Sequence, residues 1–312
     1  MAQRSPAPQL VSEILRLVAA TADAATTESL AGLQGSLTEP AATPEELVSN
    51  VCELSAIEGS LGWLAAMFNA AACDVATLPD EIAHATRDTV VTTAHQGVGA
   101  IDTDGRLSGT WQSVIGAEYA DWLVLPTKGM GRVLVPRDAA RIAPRRDPAA
   151  LSAAGVCDVT ITDYGVRDDH AFTGDSRAAA IAMAGAAAAI TGSAEGVWRH
   201  HVEQMRARLA TTYSADELSI AAPAHVARAA SDIDATKLQI TEALRRPDAE
   251  ANGSWVYEQA VARARAAADR LFGNSRHALD LNDPATRLWR DVHAGCRLAD
   301  AVFIAGGWPA EA

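Results

Sequence analysis

Between residues 89 and 172 the composition of the sequence and the spacing of its apolar residues change, and this change constrains the fold more than any other feature. Short runs rich in Val, Thr, Leu and Trp recur there at roughly ten-residue spacing, separated by Gly, Asp and Pro. On both sides the apolar residues follow a helical period, as Leu47, Val51 and Leu54 do. The pattern predicts an α+β, mostly helical chain. We expect an N-terminal helical domain (1–88), a small antiparallel β domain (89–172) and a C-terminal four-helix bundle (173–312).

Charge and hydropathy exclude several classes of function. The chain has 26 basic and 39 acidic residues, a net charge of −13, which disfavours contact with nucleic-acid phosphates. No apolar run reaches the ~20 residues that span a bilayer, and the first residues do not form a secretory signal. We therefore expect a cytoplasmic protein that binds neither nucleic acid nor membrane.

Cysteine and histidine spacing gives no sign of a metal site. The four cysteines lie far apart, with neither a CxxC pair nor Cys and His at zinc spacing. His200 and His201 are adjacent on a predicted helix, so their side chains point about 100° apart and do not chelate one ion. No metal is expected, and the cysteines are expected to be reduced thiols.

Two stretches carry a family resemblance. The first, residues 105–122, reads G-R-L-S-G-T-W, then a glycine at 116, then A-D-W. The second reads L-F-G at 271–273 and P-A-T-R-L-W-R-D-V-H-A at 284–294. Together with the order of helical region, β region and bundle, they resemble the acyl-CoA dehydrogenase superfamily. The spacing from Trp111 to Trp122 is similar to that of its flavin-dependent monooxygenase branch.

The resemblance implies a flavin cofactor, FAD or FMN, bound beside the β domain. In relatives the tryptophan that matches Trp111 packs beside the isoalloxazine ring, with hydroxyl groups near its polar edge. Trp111, Ser113 and Gly116 are the cofactor-binding residues that this implies. The sequence departs from the pattern at Val114 and Ile115, where the branch carries hydroxyl side chains.

The resemblance also directs the search for a catalytic base to the last helix. Leu298 stands where the monooxygenases carry a histidine, and Asp300 lies close to the position of the dehydrogenase glutamate. Asp300 and His293, one to two turns upstream, are candidate bases, although a solvated Asp300 and a packed His293 are the alternative. His95, in the strand after the first helical region, is a third candidate.

A shorter match places the substrate beside an N-terminal helix. Residues 57–63 resemble the G-S-x-G-W helix that lines the substrate side in the monooxygenase branch. Ser60 is small enough to let a ligand approach the helix, and Trp63 would form one wall. Ordinary helix packing is the alternative interpretation.

The sequence thus leaves two functions open. The first is a flavoprotein oxidoreductase: a dehydrogenase acting on an acyl-CoA thioester, or a monooxygenase that uses reduced flavin from a partner reductase. The second is a catalytically degenerate member that serves as a subunit of a hetero-oligomer or as a small-molecule binding protein. Family members pair through the C-terminal bundle, so a homodimer, a homotetramer or a paired dehydrogenase subunit is expected.

Overall fold

The computed structural model describes residues 41–87, 89–129, 131–145, 150–211, 221–246, 253–272, 280 and 283–307. The first 40 residues of the expected N-terminal helical domain lie outside these ranges. Its described part is helical: α1 (Pro44–Ile57), α2 (Gly59–Val75) and α3 (Asp80–Thr86). Thr43 caps α1 by accepting a hydrogen bond from the Glu46 amide, and Pro44 occupies the first turn. At Glu58 the backbone is extended, which separates α1 from α2.

Eight strands follow and form two four-stranded sheets. They are β1 (Val91–Thr93), β2 (Gln96–Ile101), β3 (Arg106–Val114), β4 (Trp122–Pro126), β5 (Gly131–Pro136), β6 (Arg141–Pro144), β7 (Cys157–Gly165) and β8 (Ala171–Thr173). One sheet has the order β1-β4-β5-β8 and the other β2-β3-β7-β6. Neighbouring strands in these sheets are antiparallel except β1 and β4. That pair is parallel: the chain leaves the sheet after β1, forms the β2–β3 hairpin in the other sheet, and returns to run beside β1 in the same direction as β4.

Four helices complete the described part of the chain: α4 (Ser176–Thr211), α5 (Ala221–Arg245), α6 (Trp255–Phe272) and α7 (Pro284–Gly307). The alanine-rich α4 is the central helix and packs against α1, α2, α5, α6 and α7. Three of its glycines allow this close approach. A Cβ added at Gly185, Gly192 or Gly196 would lie 2.6 Å or less from an atom of α1 or α2.

The observed order of helices, sheets and bundle confirms the fold class expected from the sequence. Helix α4 is long and apolar enough to cross a membrane, but 83% of its most apolar window is buried inside the protein. Its composition therefore reflects its central place in the core.

Candidate functional site

A small cavity separates the β region from helix α7, and we call it the junction cavity. Its volume is about 40 Å³, and a water molecule occupies about 30 Å³ in the liquid. The strands contribute mostly polar side chains, and α7 contributes mostly apolar ones. The lining residues are Thr93, His95, Gln96, Gln112, Ser113, Ile115, Arg297, Leu298, Ala301 and Val302.

A β-bulge places two adjacent polar residues on this cavity. Trp111 pairs with Val159 and Val114 with Cys157, so Gln112 and Ser113 together face one residue of β7. Ser113 has a φ of +52°, in the left-handed region that non-glycine residues rarely adopt. Its amide donates to Asp158 Oδ1 at 3.1 Å, which stabilises the bulge. Consecutive strand residues normally face opposite sides, and the bulge is why both line the cavity here.

His95 is the titratable group of the β wall. Its Nε2 atom is buried and has no hydrogen-bond partner among the described residues. Burial, with a smaller contribution from the charge of Arg132, lowers the pKa of His95 to about 3. The imidazole is therefore neutral at physiological pH, with an unused nitrogen at the cavity.

Behind this wall lies a buried ion pair. Arg132 Nη1 is 2.9 Å from Asp74 Oδ2, and only 1% of the Asp74 side chain is exposed. The same Nη1 donates a hydrogen bond to Thr93 Oγ1 at 3.0 Å. Burial raises the pKa of Asp74, and Arg132 opposes that shift. The pair joins α2 to β5 and contacts the cavity through Thr93.

The α7 side of the cavity offers a cation and no carboxylate. Arg297 is exposed, and its Nη1 donates to the His293 carbonyl oxygen at 3.3 Å. None of the ten residues that line the cavity is an aspartate or glutamate. Within the described ranges, no group of three or more His, Cys, Asp or Glu side chains could hold a metal ion.

The three residues expected to contact a cofactor lie in different surroundings. Ser113 lines the junction cavity, whereas Trp111 and Gly116 do not. Trp111 is completely buried, and its Nε1 donates to the Pro126 carbonyl oxygen at 3.0 Å. Gly116 has a φ of +75°, and a Cβ added there would lie 2.7 Å from the Phe68 ring. Gly116 thus allows β3 to approach α2 closely.

The three candidate bases do not converge. Only His95 lines the junction cavity. Asp300 is exposed on α7. His293 lies on α7 and contacts α6, where its Nε2 is 2.8 Å from Asp269 Oδ1. Its ring centroid is 4.4 Å from that of Trp289 on its own helix.

The two expected substrate residues are buried, and neither lines the junction cavity. Trp63 is completely buried, and a Cβ added at Gly295 of α7 would lie 3.1 Å from its Nε1. Ser60 donates to Glu58 Oε1 at 3.0 Å and accepts from the Ala153 amide at 3.3 Å. Both polar functions of Ser60 are therefore used inside the protein.

Ser60 belongs to a buried cluster at the first half of α7, which we call the clamp: Glu58, Ser60, Arg287 and Asp291. Arg287 Nε lies 3.3 Å from Glu58 Oε2. Asp291 accepts a hydrogen bond from the Leu151 amide at 2.7 Å. Burial raises the pKa of Asp291 well above its ordinary value, and the nearby Glu58 adds to the shift. The clamp ties α7 to α2 and to the segment before β7.

Sequence reasoning missed several residues of the site: Thr93, Gln96, Gln112, Arg297 and the supporting pair Asp74–Arg132. The run Thr-Thr-Ala-His-Gln at 92–96 carried a usable signal, because four of its five residues are polar in a short strand region. Asp74 and Arg132 are 58 positions apart, and nothing local in the sequence connects them.

Comparisons with known proteins identify the fold. The chain is similar to 3-HSA hydroxylase from Rhodococcus sp. RHA1, with a TM-score of 0.77, 21% identity and 98% and 96% of the two chains covered. It is also similar to XiaF from Streptomyces sp. in complex with FADH2 and glycerol (TM-score 0.74, 17% identity, 99% and 98% covered). A third match is a glutaryl-coenzyme A dehydrogenase bound to glutaryl-CoA (TM-score 0.66, 12% identity, 96% and 92% covered). The chain has the acyl-CoA dehydrogenase fold.

This acyl-CoA dehydrogenase fold is shared by flavin-dependent monooxygenases and dehydrogenases. A further match, the ChsE4–ChsE5 complex from Mycobacterium tuberculosis (TM-score 0.70, 15% identity, 97% and 96% covered), is an assembly of two different chains. No protein-family model matches the sequence, and no curated protein matches the chain.

The donor set at the junction cavity fits the polar edge of a flavin ring. Hydroxyl and amide groups from β1, β2 and β3 lie there, together with the imidazole of His95, which the structure places in the connection between β1 and β2 and not within a strand. The His95 Nε2 atom is buried and has no hydrogen-bond partner in the described part of the chain. The volume is the opposing observation, since ligand pockets usually measure about 300–1,000 Å³. Flavin binding would therefore require α7 to move away from the strands.

Proposed function

We propose that the chain is a flavin-dependent oxidoreductase of the monooxygenase type, with its reacting site at the junction cavity. The observation that carries the proposal is the buried, unpartnered Nε2 of a neutral His95 within a polar wall. Buried polar atoms are nearly always hydrogen-bonded in folded proteins, so an unpartnered one in a cavity suggests a ligand partner. XiaF, which has the same fold, was determined with FADH2.

FAD or FMN, when bound, would supply the electron chemistry. Gln96, Gln112 and Ser113 supply side-chain hydrogen-bonding groups for a polar ring edge, and Thr93 supplies a hydroxyl. Leu298 and Val302 provide an apolar wall on the opposite side. Such a wall would exclude water from the reacting atoms.

His95 is the group that would orient a substrate hydroxyl. Because burial lowers the pKa of His95 to about 3, the imidazole stays neutral, and its Nε2 can accept a hydrogen bond from that hydroxyl. A dehydrogenase would instead need a carboxylate next to the substrate. No acidic residue lines the cavity, and Asp300 is exposed. This contrast favours oxygen-dependent chemistry over oxidation of an acyl-CoA thioester.

The proposal includes two kinds of partner. A monooxygenase of this type would receive reduced flavin from a separate reductase. We also expect self-association into a homodimer or homotetramer, or pairing with a related chain as in the ChsE4–ChsE5 complex. Trp255 and Ile304 are 52% and 65% exposed and are suitable contact residues. All four cysteines are free thiols, as expected for a cytoplasmic protein.

A catalytically degenerate family member is the second candidate, and the size of the junction cavity favours it. A volume of about 40 Å³ admits about one water molecule. Val114 and Ile115, which replace hydroxyl residues of the branch, are buried in the hydrophobic core. A larger cavity of about 540 Å³ lies elsewhere and could hold a small molecule; of the arginines that line it, Arg245 and Arg246 already form ion pairs with Glu242.

Flavin binding separates the two candidates. Apoprotein titrated with FAD, FMN and their reduced forms should quench flavin fluorescence or change its absorption at about 100 μM ligand or below. His95→Gln should retain binding but change the rate at which bound reduced flavin is reoxidised by oxygen. His84→Gln is the matched control, because His84 is exposed on α3. Failure of all four flavins to bind would favour the degenerate candidate.

A further inference from the structure

The first half of α7 is tied to three other parts of the protein by polar contacts. Arg287 Nε lies 3.3 Å from Oε2 of Glu58, the residue between α1 and α2. Asp291 accepts a hydrogen bond at 2.7 Å from a backbone amide in the segment before β7. His293 Nε2 is 2.8 Å from Asp269 Oδ1 on α6. Residues 284–294 are therefore fixed by groups whose partners lie on separate elements.

The second half of α7, residues 295–307, has no such tie among the residues that the structure describes. Arg297 does donate a hydrogen bond, but the acceptor is a carbonyl oxygen one turn earlier on the same helix. The side chains that this half buries are apolar, and the largest, Phe303, stacks on Tyr257 of α6 with 6.5 Å between ring centroids. This half supplies all the α7 residues that line the junction cavity: Arg297, Leu298, Ala301 and Val302.

Gly295 lies at the boundary between these halves. A Cβ added there would lie 3.0 Å from Ile190 Cγ1 on α4 and 3.1 Å from Trp63 Nε1 on α2, so close packing accounts for the missing side chain. Glycine also weakens a helix, because its backbone has more freedom in the unfolded state than that of any other residue. The helix is therefore intrinsically weak at the point where its polar ties end.

We propose that residues 295–307 form a gate over the junction cavity, and that the gate swings away from the strands about Gly295 while the first half of α7 stays in place. The cavity of about 40 Å³ is then the closed state. Displacement of the whole helix would expose the same apolar surface and in addition break the clamp, leaving buried Glu58 and Asp291 without their partners. The inference rests on the proposed function in taking this cavity as the ligand site.

Two valines, one in each half of α7, give a matched test that needs no ligand. Val302 in the gate and Val292 in the first half are 2% and 0% exposed. Each is replaced by cysteine, and its alkylation by N-ethylmaleimide in apoprotein is followed by mass spectrometry, with the four native cysteines read separately. The Val302→Cys thiol should react at least about tenfold faster than the Val292→Cys thiol.

A second change separates the gate from a helix that opens as one unit. Arg287→Lys weakens the clamp, which stays intact when the gate opens, so it should accelerate alkylation of Val292→Cys and leave that of Val302→Cys unchanged. Equal rates in the two single variants, or equal acceleration of both by Arg287→Lys, would overturn the proposal.

Amide hydrogen exchange along α7 distinguishes a gate from a fraying helix end. A helical stretch as short as the gate has little stability in water once it leaves its packing surface, so its amides should lose protection together. Exchange should therefore show a step at Gly295, with similar opening free energies for residues 298–303 and higher ones for residues 286–292. A gradual decline of protection toward residue 307 would indicate fraying and contradict the gate.

Riboflavin binding connects the gate to a ligand. Phe303→Leu removes the stacking contact with Tyr257, so it should raise the alkylation rate of Val302→Cys and the association rate of riboflavin by the same factor. Ile304→Leu is the control, because Ile304 is 65% exposed. Faster alkylation without faster association would overturn the gate as the route to the cavity. Absence of riboflavin binding in every variant would instead refute the proposed function, and alkylation would still decide whether the gate exists.

Discussion

Helix α7 carries two buried polar clusters that use their hydrogen-bonding groups differently. The clamp and the junction cavity lie roughly 15 Å apart along the helix. In the clamp the polar groups face one another: Glu58 pairs with Arg287, and Asp291 accepts from a backbone amide. In the cavity His95 Nε2 has no hydrogen-bond partner in the described part of the chain. Asp291 Oδ2 in the clamp also has none, but Asp291 does not line the junction cavity, whereas His95 does. The comparison therefore separates an enclosed ionic cluster, which contributes to folding, from polar groups that border a cavity.

The largest expected effect breaks the clamp. Arg287→Ala leaves Glu58, only 5% exposed, without its cation. Loss of one partner of a buried pair typically costs about 3–5 kcal/mol of unfolding free energy. Arg290→Ala, on the same helix, should change stability by about 0.5 kcal/mol or less, because Arg290 forms no ion pair with a described residue. Urea denaturation of both variants measures the difference, and similar losses would show that the clamp has no special role.

A smaller effect is expected from filling the cavity. Ala301→Leu places three more carbons where the ligand would enter, so flavin affinity should fall at least tenfold, about 1.4 kcal/mol. Overpacking should cost about 1 kcal/mol of stability or somewhat more. Ala305→Leu, exposed one turn further along α7, should alter neither quantity. Unchanged affinity in Ala301→Leu would move the ligand site away from the junction cavity.

The smallest effect, and the sharpest contrast, lies in the pH dependence of stability. The pKa of Asp291 is raised in the folded state, so this residue makes stability fall as pH rises above about 4. The pKa of His95 is lowered to about 3, so this residue makes stability fall as pH drops below about 6.5. Between about pH 4 and pH 6.5, Asp291→Asn should make the unfolding free energy rise more steeply with pH. In the same range His95→Gln should make the unfolding free energy rise less steeply. Denaturation at pH 4.5, 5.5 and 6.5 compares the slopes, and two changes of the same sign would contradict this assignment.

The fold was predictable from the sequence because its signals are local and repeated. The β-branched runs of the 89–172 block and the helical periods around it directly reflect which faces are buried. The residues that carry the family resemblance mostly determine packing: Trp111 and Trp63 are core side chains, and Gly116 accommodates Phe68.

The candidate site was only partly predictable, since it depends on contacts between distant residues. His95 was identified as a candidate base, but its separation from Asp300 and His293 became visible only in the structure. The bulge that brings Gln112 and Ser113 to one side cannot be read from an alternating pattern. The pair of Asp74 and Arg132 joins a helix to a strand of another region.

The glycines of α4 also have a consequence for biosynthesis. Helices α1 and α2 bury their inner faces against Gly185, Gly192 and Gly196, which follow α2 by roughly 120 positions. At about 5–20 residues per second, the ribosome needs roughly 6–24 s to supply that surface. During this interval the face of α2 that includes Ala66 has no α4 to cover it. We therefore expect these two helices to complete their packing only after α4 has emerged.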